Sequence, residues 1–232
     1  MQKTAKIILI ISVLLLIAVA LYFVYGSKSN LNSDITKNKN FVPGHSQLTD
    51  PDFPITATKP NTQLDQYDVL ILFGGVNYAT PQWMEENTPD TIKEKYLVYY
   101  LTWNYAINHK DSLLAVLDKL PAKSFSFAGF SAGGKSVMKV MDHYTSSGIV
   151  ANSINGSPIN KFILIDPSVY RNLVDSLDYR NTVMTYGSSG MIGLYGDIYP
   201  ALDQNIKKAG GKAEKQSKSH NWFVPYTLDK YL

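Results

Sequence analysis

A glycine-rich turn holds the residues best suited to chemistry. The segment Gly129 to Gly133 reads G-F-S-A-G, and its two glycines flank Ser131 between an apolar strand-like run and an amphipathic segment. In the nucleophile elbow, a serine with such neighbours sits on a sharp strand-to-helix turn, and its hydroxyl projects above the sheet. The pattern therefore predicts that Ser131 is a nucleophile for acyl transfer.

The same letters also fit a second motif. Residues Gly129 to Ser136 read G-F-S-A-G-G-K-S, which matches the phosphate-cradling loop of nucleotide hydrolases. Asp166, after the apolar run Phe162 to Ile165, would then orient a magnesium ion. Chain position weighs against this alternative, because two predicted strands precede the turn and about 96 residues follow Ser136, too few for a nucleotide fold.

A nucleophilic serine needs a general base, and with an elbow motif the chain order is serine, acid, histidine. Among the four histidines, His45 and His109 precede Ser131. His143 lies roughly 18 Å along the helix that starts at the turn, too far to accept the serine proton. Elimination leaves His220 as the predicted base.

A carboxylate must orient the imidazole of that base. Most acidic residues between Ser131 and His220 fall within predicted helices or strands, which leaves two in loops. Asp197 follows the penultimate predicted strand and directly precedes a helix, so it is the favoured acid. Asp166, which ends the preceding strand, is the alternative.

An acyl-transfer site also needs donors for the oxyanion. The backbone N–H of Ala132, the residue after the nucleophile, is predicted to supply one donor. The other should come from the loop after the first strand, where Gly74 and Gly75 let the backbone approach a substrate closely. Gly75 is the predicted second donor, and Val76 is the alternative.

Three tryptophans are predicted to surround the substrate. Trp83 follows the first predicted strand, Trp103 ends the second and Trp222 follows His220. These positions place all three near the carboxyl ends of the strands, where aromatic rings commonly stack on sugars or hold acyl groups.

Short apolar runs alternate with helix-period segments in the second part of the chain. This alternation predicts a mostly parallel sheet covered by helices on both faces, with ligands beyond the carboxyl ends of the strands. The predicted helices include Asp111 to Leu120 and Tyr199 to Ala209. The predicted strands are Val69 to Phe73, Leu97 to Trp103, Ser124 to Ala128, Phe162 to Ile165, Thr182 to Tyr186 and Ala213 to Ser217.

On these motifs the region from Leu64 to Leu232 resembles the α/β-hydrolases. The resemblance rests on the elbow, on Phe73-Gly74-Gly75, on Asp197 before a helix and on His220-Asn221-Trp222. It implies a three-layer α/β/α hydrolase fold that hydrolyses esters or related acyl groups with a serine nucleophile, and needs no metal or organic cofactor. Phe73 departs from the histidine that many members have at this position.

The interval between the strands ending at Ile165 and starting at Thr182 is only about 15 residues, which leaves no room for the helical lid of many lipases. An open site suits short acyl or polymer-borne esters better than long-chain lipids. The alternative is an inactive hydrolase fold used as a binding module. Its signature would be a missing triad member, and the sequence lacks none.

The first segment predicts a membrane location. Ile7 to Tyr25 is an uncharged apolar run of roughly 28 Å as a helix, and Lys3 and Lys6 precede it. We therefore expect residues 1–26 to be a transmembrane anchor, or a signal peptide if cleaved, residues 27–63 a flexible linker, and residues 64–232 an extracytoplasmic hydrolase domain. Cleavage would make the domain a secreted protein.

Composition excludes several other functions. The chain of 232 residues contains no cysteine, which rules out disulfides, thiolate metal sites and a cysteine nucleophile. Its 22 Lys and Arg residues nearly balance 19 Asp and Glu residues, so no basic surface for nucleic acid is expected.

Overall fold

The computed structural model describes residues 67–77, 79–120, 122–145 and 153–232. The predicted anchor (1–26) and linker (27–63) lie outside these residues. None of the helices in the described ranges is long and apolar enough to cross a membrane.

Strands and helices alternate along the described chain. The helices are α1 (Pro81–Asn87), α2 (Asp90–Lys95), α3 (Tyr105–Asn108), α4 (Lys110–Leu117), α5 (Gly133–Thr145), α6 (Ser189–Tyr195), α7 (Tyr199–Lys208) and α8 (Phe223–Tyr231), with 3₁₀ turns at Arg171–Leu173 and His220–Trp222. The strands are β1 (Asp68–Phe73), β2 (Tyr96–Leu101), β3 (Ser124–Phe130), β4 (Ser153–Ile154), β5 (Ser157–Ile165), β6 (Thr182–Tyr186) and β7 (Lys212–Lys215).

Six strands form a parallel sheet in the order β2-β1-β3-β5-β6-β7, and β4 pairs antiparallel with β5. The chain moves outward from β1 to β2 and then returns to the other side of β1 with β3. Strand order therefore reverses between β1 and β3. In open parallel sheets such a reversal opens a crevice at the carboxyl ends of the two strands, because their following helices lie on opposite faces.

The two faces of the sheet have separate apolar cores. Along β1, Val69, Ile71 and Phe73 join the core beneath α4, α5 and α7, whereas Leu70 and Leu72 join the core beneath α1, α2 and α8. All five side chains are buried, as expected for a strand covered on both faces. This three-layer arrangement confirms the predicted α/β class.

Element boundaries agree with the prediction to within two residues in every predicted strand except β5. Strand β6 spans the predicted residues Thr182–Tyr186, while β2 ends at Leu101, two residues before the predicted Trp103. Strand β5 begins at Ser157, before the predicted Phe162, because its first residues pair with β4. The interval after β5 contains a single 3₁₀ turn, in agreement with the expected lack of a helical insertion.

Strand β7 is attached to the C-terminal helix through one carboxylate. Glu214 accepts hydrogen bonds from Tyr226 Oη, Tyr231 Oη and Lys230 Nζ, each at 2.7 Å, and from Gln216 Nε2 at 2.6 Å. Burial by itself raises the pKa of Glu214, but these four donors outweigh it and lower the pKa from 4.5 to about 2. The ionised carboxylate therefore stabilises the contact between β7 and α8.

We predict that Glu214→Gln lowers the melting temperature by about 2–4 °C near neutral pH. A depressed folded-state pKa contributes stability above the unfolded value of 4.5, and this contribution is lost as pH falls towards 2. The difference between wild type and variant should therefore shrink over that range in a thermal melt series. Glu86→Gln, at an exposed glutamate, is the control, and a difference for Glu214→Gln that does not depend on pH would contradict the prediction.

Candidate active site

Ser131 directly follows β3 at the strand-order reversal. Its backbone adopts φ 53°, a left-handed conformation that is strained for a residue with a side chain. The Ser131 N–H donates to the carbonyl of Ile165 at 2.9 Å, and its own carbonyl accepts from Gly134 and Ser168 at 3.0 and 2.7 Å. These bonds hold the turn between β3 and α5, as the nucleophile elbow requires.

The first turn of α5 lies directly against the end of β1, and a glycine permits this approach. A Cβ atom at Gly133 would lie 2.3 Å from the carbonyl oxygen of Phe73 and 2.4 Å from that of Gly74. No side chain fits there. The glycine thus brings the loop after β1 close to Ser131.

The predicted base, His220, faces a buried carboxylate. Nδ1 of His220 lies 2.6 Å from Oδ2 of Asp166, whose residue is fully buried, while the imidazole side chain is 25% exposed. An ionised carboxylate only accepts hydrogen bonds, so this contact assigns the proton to Nδ1 and leaves Nε2 as the basic nitrogen. Asp166 also has a left-handed backbone, with φ 40°, directly after β5.

Other donors complete the surroundings of this carboxylate. The N–H groups of Gly187 and Ser188 donate to Asp166 Oδ1 at 3.0 and 3.4 Å, and the Ser188 hydroxyl donates to Oδ2. Gly187 has φ 135°, and a Cβ atom there would lie 2.2 Å from the carbonyl oxygen of Gln216. Only glycine therefore allows this amide to reach the carboxylate.

A tyrosine borders the same carboxylate from α7. Burial is the main cause of the raised pKa of Tyr199, and the negative charge of Asp166 raises it further. The Tyr199 hydroxyl donates to the Pro167 carbonyl at 2.6 Å. Tyr199 therefore remains a protonated donor and fixes the segment that follows Asp166.

The prediction that Asp197 pairs with His220 is wrong. Asp197 lies on the surface with its side chain 64% exposed, and both its carboxylate oxygens accept from Arg171, at 2.6 and 3.2 Å. The hydrogen bonds from Arg171 are the main cause of the lowered pKa of Asp197. Asp197 lies away from His220 because helix α6 occupies the interval after β6 and carries Asp197 away from the carboxyl end of that strand. Asp166, the alternative, occupies the expected position.

The oxyanion donors also differ in part from the prediction. The Gly75 N–H already donates to the Ala79 carbonyl at 3.1 Å, although a Cβ atom at Gly75 would lie only 3.1 Å from Cβ of Ser131. Among the described residues, no hydrogen bond engages the N–H of Ala132 or of Val76. Ala132 and the alternative residue Val76 therefore offer the available amides beside the serine.

A column of aromatic rings packs against the histidine, and the sequence motifs do not predict it. The ring centroid of Phe130 lies 4.4 Å from that of His220, and Trp83 stacks on Phe130 with centroids 5.6 Å apart. Phe130 is the variable second position of the elbow motif, so the motif itself gave no signal for it. The column places an apolar wall against one side of the imidazole.

The three predicted rim tryptophans have different surroundings. Trp83 belongs to the aromatic column, and Trp222 stacks on Tyr226 with centroids 4.1 Å apart; both pack against the core beneath α1 and α8. Trp103 is partly buried, and its carbonyl accepts a hydrogen bond from Ser136. Their contact with substrate stays a prediction.

The geometry does not favour the phosphate-loop alternative. Ser136, which would have to bind magnesium, is fully buried and donates its hydroxyl to the Trp103 carbonyl. Nζ of Lys135 lies over the ring of Tyr170, 5.4 Å from its centroid, and Asp166 is engaged by His220. Within the described ranges, no three His, Asp or Glu side chains are grouped so that they could hold a metal ion.

The parallel sheet, its helices on both faces and the strand-turn-helix serine define an α/β-hydrolase-like fold, as the sequence resemblance predicts. The chain matches no protein-family model and no curated protein sequence.

Similar solved structures include esterases and a thioesterase. Thermogutta terrifontis esterase 2 phosphorylated by paraoxon gives a TM-score of 0.45 with 12% identity, over 72% of this chain and 76% of that chain. The butyrate-bound Est2 from the same species gives 0.45 with 14% identity, over 73% and 80%. The thioesterase domain from the curacin biosynthetic pathway gives 0.46 with 11% identity, over 68% and 87%.

We predict that Ser131→Gly is more stable than Ser131→Ala by roughly 1 kcal/mol, measured by denaturant unfolding. Both variants lack the hydroxyl, but only alanine retains the steric cost of positive φ, which exceeds the extra chain entropy of glycine. Helical Ser136 provides the control, since Ser136→Gly should be less stable than Ser136→Ala. Equal stabilities at position 131 would show that the elbow stores no backbone strain.

Proposed function

We propose that the protein is a serine hydrolase that cleaves carboxylic esters through Ser131, His220 and Asp166. The observation that carries the proposal is the contact between His220 Nδ1 and the buried Asp166. This contact lies at the carboxyl ends of the strands, where Ser131 also lies. A histidine with an oriented imidazole beside an elbow serine is the arrangement that activates a hydroxyl nucleophile.

In the acylation half of the reaction, Oγ of Ser131 attacks the ester carbonyl while Nε2 of His220 takes the hydroxyl proton. Asp166 holds the imidazole in the required tautomer and stabilises the imidazolium that forms. The N–H groups of Ala132 and Val76 donate to the negative oxygen of the tetrahedral intermediate. Collapse of that intermediate breaks the bond to the alcohol, which leaves with the proton from His220.

Deacylation repeats these steps with water as the nucleophile. His220 takes a proton from water, the hydroxide adds to the acyl carbonyl, and the same two amides bind the new oxyanion. The second intermediate collapses by releasing Ser131, which recovers its proton from His220. The acid product then leaves.

The substrate we propose is a short acyl group or an ester carried on a polymer. Support comes from the interval after β5, which has one 3₁₀ turn and no inserted lid helix. We also propose that the N-terminal apolar run anchors this domain to the outer side of a cell membrane. That part rests on the sequence of residues 1–26 alone.

We predict that Ser131→Ala and His220→Ala each lower kcat/KM for p-nitrophenyl acetate by at least about 1000-fold, because members of a triad act as a unit. A fluorophosphonate probe should label the wild type and fail to label Ser131→Ala. His143→Ala, at a histidine exposed on α5, is the matched control and should retain activity. A folded wild type that neither turns over esters nor takes the probe would favour the binding-module alternative.

Two substitutions distinguish the roles of Asp166 and Asp197. Asp166→Asn should lower kcat by about 1000-fold or more, because an amide facing Nδ1 favours the wrong tautomer of His220. Asp197→Asn removes a surface ion pair with Arg171 and should change kcat less than about twofold. Steady-state kinetics of both variants would decide the matter, and the opposite ranking would return the acid role to Asp197.

A further inference from the structure

Ser188 carries a buried hydroxyl that lies against both Asp166 and His220. It is 3% exposed, its hydroxyl donates to Oδ2 of Asp166, and its Oγ lies 3.5 Å from Nδ1 of His220. Its backbone N–H donates to the other carboxylate oxygen at 3.4 Å. One residue thus donates to both oxygens of Asp166, and its hydroxyl shares Oδ2 with the imidazole.

The orientation of this hydroxyl is not explained by helix capping. Ser188 stands at the N-cap of α6, with the extended backbone typical of a capping serine (φ −60°, ψ 144°), yet its side chain makes no capping hydrogen bond. A serine at this position normally accepts from the first free amides of its helix. Here the hydroxyl is directed to Asp166 instead.

The position in the sheet explains how Ser188 reaches the pair. It lies two residues after β6, the strand next to β5, and the N–H of Asp166 donates to the carbonyl of Thr185 in β6 at 2.7 Å. The end of β6 therefore runs beside the Asp166 carboxylate. Gly187 supplies the turn that brings the Ser188 amide and hydroxyl onto it.

We propose that Ser188 is a positioning residue of the hydrolase site, an inference that rests on the proposed function. Its hydroxyl fixes Oδ2 of Asp166 where the Nδ1 proton of His220 points. Two hydrogen bonds on one oxygen, one from the connection after β6 and one from the 3₁₀ turn before α8, restrict that oxygen to a single place. A misplaced oxygen would slow proton transfer without changing how substrate binds.

The test compares Ser188→Thr with Ser188→Val, two side chains of nearly equal shape that differ in the hydroxyl. Steady-state kinetics with p-nitrophenyl acetate should show kcat of Ser188→Val and Ser188→Ala reduced about tenfold, with KM within about twofold of wild type. Ser188→Thr should retain kcat within about threefold of wild type. Ser189→Ala, at the exposed neighbouring serine, is the control and should behave as wild type.

The outcomes distinguish a failure of the positioning role from a failure of the proposed function. An active wild type with equal losses in Ser188→Thr and Ser188→Val would show that only space matters at this position, which overturns the positioning role. Unchanged kcat in Ser188→Val would overturn it as well. A wild type without ester turnover and without fluorophosphonate labelling would overturn the proposed function, and this inference with it.

Discussion

The geometry of the site depends on how one buried carboxylate is satisfied. Asp166 is fully buried, and a buried carboxylate without hydrogen-bond partners costs several kcal/mol. Its donors come from the amides of Gly187 and Ser188, from the Ser188 hydroxyl and from His220. These groups belong to the connection after β6 and to the 3₁₀ turn before α8. The need to satisfy one charge therefore fixes the position of two segments that are distant in sequence.

The sheet makes this convergence possible because neighbouring strands end at the same level. Phe130 pairs with Ile165 at the ends of β3 and β5, and the next residues, Ser131 and Asp166, each continue the ladder by one hydrogen bond to the adjacent strand. Both then turn out of the sheet with positive φ. Both residues therefore hold a left-handed backbone where their side chains must leave the strand direction, and strained backbone of this kind is common at functional sites.

Sequence and structure agree where the information is local. The strand-turn-helix pattern predicts the turn at Ser131, which the structure has with positive φ between β3 and α5. The scarcity of histidine leaves His220 as the predicted base. The sequence wrongly favours Asp197 as the acid because helix α6 carries two glycines in seven residues and so has no helical signal in its sequence. Gly75 failed as a donor for a similar reason, since its bond to the Ala79 carbonyl depends on a turn that no motif encodes.

The imidazole is held in place from the C-terminal side of the chain. His220 begins a 3₁₀ turn that runs directly into α8, and Phe223, Val224 and Leu228 of this helix are buried in the core beneath the sheet. The other end of α8 is attached to β7 through Glu214. Because the helix is held by apolar packing along its length and by a charged cluster at its end, the histidine is carried by a rigid element. The proposed base is positioned more accurately on such an element than it would be on a free loop.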